Sequence, residues 1–387
     1  MRHEILSDKG AFFLQMRNSD FKQHLPEEGT EGIQDADSEL LQEKNVKMKN
    51  KVRKLSVLLL VCVFLCRCGH TKNVTAEEDP TAFTINGEEI GFREWNFYIR
   101  MNQMQWEKEM LDSYGDDMWS HEVDGNGTTM AEELKMQVVD TICRIHLANQ
   151  HAEEYGVALD EEKQEEIEER AASFMKAYHE KLLQYAGADE AFVHDRLSER
   201  ELSLLTAEAS VADYDPELSE EEIHREGICY VLISTTGLWD EEGNLEPYSE
   251  EEVERRARVA EELCETARDS RDLKEAAEAI GLTPIESSVG IRNEGDGQEP
   301  RMLDAARLLE VGEISDPVQT EEGWFLVQHT SDYDEEGTDY WREYLTRQAR
   351  EEEYERIYEA WKEEADISFH QEIMDQADVE IVLKELL

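Results

Sequence analysis

Apolar residues recur at helical spacing from Met130 to Tyr155, at Leu134, Val138, Ile142, Ile145 and Ala148, and Gly156 then offers a C-cap. That spacing predicts one amphipathic helix. Asp160, a favourable N-cap, predicts a second helix over 161–185 that Gly187 ends, and Asp189 opens a third over 191–214 with Phe192, Leu197, Leu202 and Leu205 apolar. Upstream, residues 82–90 alternate about Asn86-Gly87, a dipeptide that favours a two-residue hairpin. A helix carrying Trp95, Ile99, Trp106 and Met110 on one face follows it. Residues 113–129 read as a loop. Its Asp124-Gly125-Asn126-Gly127 departs from a calcium-binding loop, because the sixth and twelfth positions hold Thr129 and Lys135 in place of Gly and Glu, so a turn is expected.

The pattern changes near residue 228. Ile228-Cys229-Tyr230-Val231-Leu232-Ile233-Ser234 is a short apolar run of strand length, and a second such run, Gly323-Trp324-Phe325-Leu326-Val327, closes the region. Between them lie helical patterns over 250–270 and 272–280, so the order is that of a small α+β domain, about 100 residues long. Residues 332–337 read as an acidic linker. A long helix is predicted over 339–366, with Trp341, Leu345, Tyr354, Tyr358, Trp361 and Ala365 as a stripe better explained as packed core than as a ladder for ligands. Val379-Glu380-Ile381-Val382-Leu383 fits a short strand and a frayed helix equally.

Near the N-terminus, the basic stretch 48–54 precedes an apolar run over 55–66 that is too short to span a bilayer comfortably, the arrangement of a secretory signal. Translation is read as starting at Met48, with residues 1–47 a non-native or disordered extension and a cytoplasmic tail the alternative. Residues 48–68 then form the signal. Leu65-Cys66-Arg67-Cys68-Gly69 resembles a bacterial lipoprotein signal, and the resemblance implies lipidation of Cys68, with an uncleaved signal anchor as the other reading. Either places the bulk of the chain outside the cell at the outer face of the cytoplasmic membrane.

The net charge of -54 disfavours any nucleic-acid partner, since the surface repels phosphates. Solubility explains such acidity more simply than attraction for basic, unfolded clients or for cations held in a cell wall. Of six cysteines, Cys143, Cys229 and Cys264 lie beyond the signal, scattered and in no metal-binding spacing; they read as buried thiols, and neither a metal nor a cofactor is expected. His146 and His151, five apart, do not share a helix face and read as surface histidines.

Gly312-Glu313-Ile314-Ser315-Asp316-Pro317-Val318-Gln319-Thr320, followed by Gly323-Trp324-Phe325-Leu326-Val327, resembles the closing hairpin of the parvulin peptidyl-prolyl isomerases. The flanks resemble extracytoplasmic foldases of the PrsA/SurA type. The resemblance implies an α+β fold, in which a parvulin-like domain of small antiparallel sheet and helices (226–332) is inserted between N-terminal helices (69–225) and a C-terminal helix (333–387). The two helical parts would form one chaperone domain. It also implies unfolded or proline-containing exported polypeptides as partners, and leaves a homodimer open.

Rotation about an X-Pro bond faces a barrier of about 18–20 kcal/mol. Lowering it needs no nucleophile, only an apolar grip on the ring and a lining that favours the twisted amide. Parvulins provide an apolar pocket beneath two facing histidines. On the resemblance, Tyr230 and Phe325 stand at the two histidine positions, Thr320 matches the hairpin threonine, and Val289, Met302 and Phe325 supply the apolar pocket. Thr283 stands near the family's Cys or Asp position, and Ser287-Ser288-Val289-Gly290 replaces a longer glycine-rich element. Tyr230, Thr320 and Phe325 are therefore the catalytic candidates. A chaperone that binds without isomerising competes with the enzyme, and a solute-binding or structural lipoprotein is the third reading.

Overall fold

The computed structural model describes residues 79–239, 245–290 and 298–383. The start at Met48, the signal and Cys68 lie outside the described residues. Asn86 and Gly87 both adopt positive φ, 54° and 83°, as a two-residue hairpin turn requires. They join β1 (Thr81–Ile85) to β2 (Glu88–Gly91), and α1 (Phe92–Tyr114), α2 (Met130–His151), α3 (Glu161–Ala177), α4 (Glu180–Ala186) and α5 (Glu190–Ser210) follow. After the single turn α6 (Glu220–Ile223) come β3 (Glu226–Ser234), β4 (Gly237–Trp239), β5 (Leu245–Pro247), α7 (Glu250–Ser270), α8 (Leu273–Ala279), β6 (Ile285–Val289), α9 (Pro300–Ala306), β7 (Val318–Gln319) and β8 (Gly323–Ser331). The chain continues through α10 (Glu335–Glu364), β9 (Ile367–Phe369) and α11 (Gln371–Met374). The fold is α+β. Its described residues divide into a central unit, 216–349, and a helical unit built from 79–215 and 350–383.

Three sequence expectations are corrected. The helix over 161–185 is two helices, because Tyr178 is extended and the His179 side chain accepts the Lys181 N–H, capping α4 and ending α3. The acidic stretch 332–337 is not a linker throughout. Asp334 caps α10 by accepting the Gly337 N–H, and its own N–H donates to Arg225 O. His146 is buried rather than on the surface, held between Glu88 and Glu94.

Within the helical unit, β9 adds to the hairpin to give the order β2-β1-β9. Residues of α10 from Arg350 onward pack on α2. Arg144 pairs with Glu355 through two hydrogen bonds of 2.7 and 2.8 Å, Tyr358 donates to Asp140, and Trp361 stacks on His151 at 4.4 Å. Of the predicted aromatic stripe, Tyr358 is fully buried and Trp341, Leu345, Tyr354 and Trp361 are half-buried, while Tyr344 takes the other buried place.

Residues 379–382 are neither helix nor strand, and Leu383 is helical. Their backbone is satisfied by buried side chains of α1: Arg100 donates to Asp378 O, Gln103 to Ile381 O, and Glu107 accepts the Leu383 N–H. Side-chain partners remove the need for regular backbone pairing. Cys143, Cys229 and Cys264 are buried thiols, and burial raises the first two to about 12 and about 11, which makes them inert. No helix of the described residues is long and apolar enough to cross a membrane.

Candidate functional site

The central sheet has the order β6-β3-β8-β7, all neighbours antiparallel. Strand alternation divides its residues between two faces. On one, Ile228 of β3, Phe325 and Val327 of β8 and Val289 of β6 pack against Met302, Leu303 and Ala306 of α9. On the other, Val231, Ile233 and Leu326 pack against α7 and α8. Register places Tyr230 opposite Val327 and Leu232 opposite Phe325, so Tyr230 and Phe325 are diagonal neighbours on the first face.

Their rings lie 6.1 Å apart, tilted by 43°. The two residues matched to the family's histidines are therefore brought together, as an aromatic pair without an imidazole. Burial raises the Tyr230 phenol, so it stays a neutral O–H donor, and it makes no hydrogen bond among the described residues. Val289 and Met302 lie beneath this pair at 1 % and 0 % exposure. They form the floor's packing rather than its exposed surface. Tyr230, Leu232 and Val318, each half-buried, are what this face offers a ligand.

Thr320 sits in the turn between β7 and β8. Its Oγ1 accepts the Glu322 and Gly323 N–H groups at 3.2 and 3.3 Å and donates to Gly323 O, so the hydroxyl is committed to the hairpin. Gly323 is required there: at φ 149° a Cβ would lie 2.3 Å from Ile233 O. The segment before the hairpin runs along β8, with the Ser315 N–H donating to Val327 O and the Ser315 side-chain Oγ accepting the Val327 N–H.

Two features of this unit were not foreseen. His329, on the same face of β8 as Phe325 and Val327, is buried, with Nδ1 3.2 Å from Leu309 O and Nε2 3.0 Å from Glu226 Oε2. The alternation Phe325, Val327, His329 was the available signal. Both of its nitrogens are engaged, so it cannot stand in for the missing pair. The second feature is a cavity of about 350 Å³ on the opposite face, with Ile233, Leu263, Ala276 and Leu282 below and Arg255 and Arg256 at its edge. Arg256 is held by Glu252 and Ser234 O and lies over the Tyr248 ring at 4.0 Å. Thr283 falls in the irregular segment between α8 and β6.

No protein-family profile matches the chain. Over 354 residues it is 22 % identical to the proteins named Foldase protein PrsA from two strains of Clostridium botulinum, 657 (type Ba4) and Langeland (type F). The match covers 84 % of this chain and 99 % of each relative. Among solved structures, the foldase protein PrsA of Lactococcus lactis matches 77 % of this chain and 99 % of its own at 11 % identity, with a TM-score of 0.34. A SurA-like chaperone of Campylobacter jejuni matches 75 % of this chain and 98 % of its own at 11 % identity, with a TM-score of 0.26. The chain is thus similar to PrsA foldases over most of its length.

Proposed function

We propose that this protein is an extracytoplasmic foldase that holds exported, incompletely folded polypeptides, with the face around Tyr230 and Phe325 binding apolar or proline-bearing segments and contributing little prolyl isomerisation. The observation that supports this most is the aromatic pair itself. The half-buried Tyr230 ring, backed by the buried Phe325 ring 6.1 Å away, offers stacking and apolar area to a proline or aromatic side chain. Together they supply one hydroxyl donor and no imidazole to the twisted amide, whereas lowering the barrier depends on groups that favour that twisted state over the planar one. The similarity to PrsA foldases, which reaches well beyond the central unit, favours a foldase over a solute-binding or structural lipoprotein. Residence at the outer face of the membrane, through Cys68 lipidation or a signal anchor, belongs to the same proposal.

The reading is tested by diluting a denatured client protein into buffer with and without an equimolar amount of this protein and following light scattering. Suppressed scattering that weakens in Tyr230→Ala is expected. Unchanged scattering with the wild-type protein would leave the third class, a lipoprotein without chaperone activity.

A further inference from the structure

Glu94 on α1, His146 on α2 and Glu199 on α5 meet inside the helical unit. The side chains of Glu94 and His146 are each only 6 % exposed. His146 Nε2 lies 3.0 Å from Glu94 Oε1 and 4.0 Å from Glu199 Oε2, while its Nδ1 lies 2.9 Å from Glu88 Oε1 on β2. Arg196 donates to the other oxygen of each helix carboxylate, Glu94 Oε2 and Glu199 Oε1. Glu199 Oε2 is left shielded from solvent with no hydrogen-bond partner among the described residues. A buried polar atom without a partner is rare in a folded protein and calls for an explanation, an ion among them.

We propose that this cluster binds one divalent transition-metal ion, with His146 Nε2, Glu94 Oε1 and Glu199 Oε2 as its ligands. These three atoms lie within 4.8 Å of one another, close enough for an ion to reach all three with small side-chain adjustments. Glu88 accepts the Nδ1–H and so fixes the tautomer that leaves Nε2 free to ligate, the arrangement that usually accompanies histidine ligation. Arg196 orients both carboxylates from behind by holding the oxygens that do not face the histidine. One imidazole and two carboxylates suit zinc, which at three protein ligands keeps a fourth position for water. Neutral imidazole, two carboxylates and the ion sum to zero charge. Without an ion, both ring nitrogens face carboxylate oxygens, and the imidazole must donate at both. The bound ion would clip α1, α2 and α5 together, and through Glu88 fix the hairpin as well. The ligands come from separate helices, Glu94 and His146 being 52 residues apart, so no local motif announces them.

The test is titration of the full chain, first stripped with a chelator, with Zn2+ in excess Mg2+ that saturates the acidic surface, followed by calorimetry and thermal melting. Co2+ in place of Zn2+ reports the coordination number through its visible absorption. One Zn2+ per chain, a raised melting temperature and a four- or five-coordinate Co2+ spectrum are expected. Glu199→Gln, at a partly exposed position, should retain the far-ultraviolet circular dichroism of the fold and weaken binding at least about tenfold. Glu355→Gln, an exposed carboxylate elsewhere, should bind as the wild type does. Weak binding of many ions that is indifferent to Glu199→Gln, or no binding in excess Mg2+, would overturn the proposal.

Discussion

In the central unit, the strands β3 and β8 are covered on both faces by apolar side chains, from Ile228, Met302 and Phe325 on one to Val231, Leu263 and Leu326 on the other. The helical unit is tied over its longest sequence separations by buried and half-buried polar groups. Arg100, Gln103 and Glu107 hold the backbone of 378–383, and Asp140 collects Arg144, Tyr358 and Lys362. Apolar packing is non-directional and tolerates related guests, whereas hydrogen-bonded networks demand one arrangement. The contrast matches the roles proposed for them: an adaptable binding face in the central unit, a fixed scaffold in the helical one.

Removing one member of each set should separate the two units most strongly. Met302→Ala in the central unit should cost about 3 kcal/mol, the range for emptying a fully buried side chain, and should lower the urea midpoint of that unit's transition. Arg100→Ala should cost about 2 kcal/mol in the helical unit, because it strips hydrogen bonds from Asn96, Gln103 and the Asp378 carbonyl. It should also release 378–383, seen as faster amide exchange at Leu383. Equal loss in both transitions from either change would erase the distinction.

Acid should separate the units as well. Burial pushes the Asp140 carboxyl up, but Arg144 and Lys362 outweigh it and bring it down to about 2. A carboxylate with a depressed folded value stabilises the fold above its unfolded value and loses that contribution on protonation. The helical unit should therefore weaken as pH falls from about 4 to about 2, and Asp140→Asn should flatten that dependence in melting curves. A smaller effect is expected from restoring the family's polar pair. Tyr230→His together with Phe325→His should speed cis-to-trans conversion of a proline tetrapeptide about tenfold, the equivalent of one added transition-state contact of about 1.4 kcal/mol.

Much of this was legible in the chain because it rests on local signals. The Asn86-Gly87 turn, the caps Asp160 and Asp189, the strand at Ile228 and the hairpin ending in Val327 each carry their own pattern. Tyr230 and Phe325 were matched to each other through the family resemblance alone, and the register brings them together. What escaped were positions where polar residues act at long range. Arg100 and Gln103 look like solvated helix residues until the backbone of 378–383 arrives, and His146 looks exposed until Glu88 and Glu94 close on it. Thr320 resembled a candidate for chemistry, but its hydroxyl is occupied by the turn that creates the hairpin. Periodicity records which face is apolar. It is blind to a buried charge whose partner comes from another element.

Binding with little isomerisation is tested by a protease-coupled assay of a proline tetrapeptide run on the same preparation that suppresses client aggregation. Cis-to-trans rates close to the uncatalysed ones are expected while aggregation is suppressed. A strong acceleration that Tyr230→Phe abolishes would contradict that reading, and would make the phenol a working part of an isomerase.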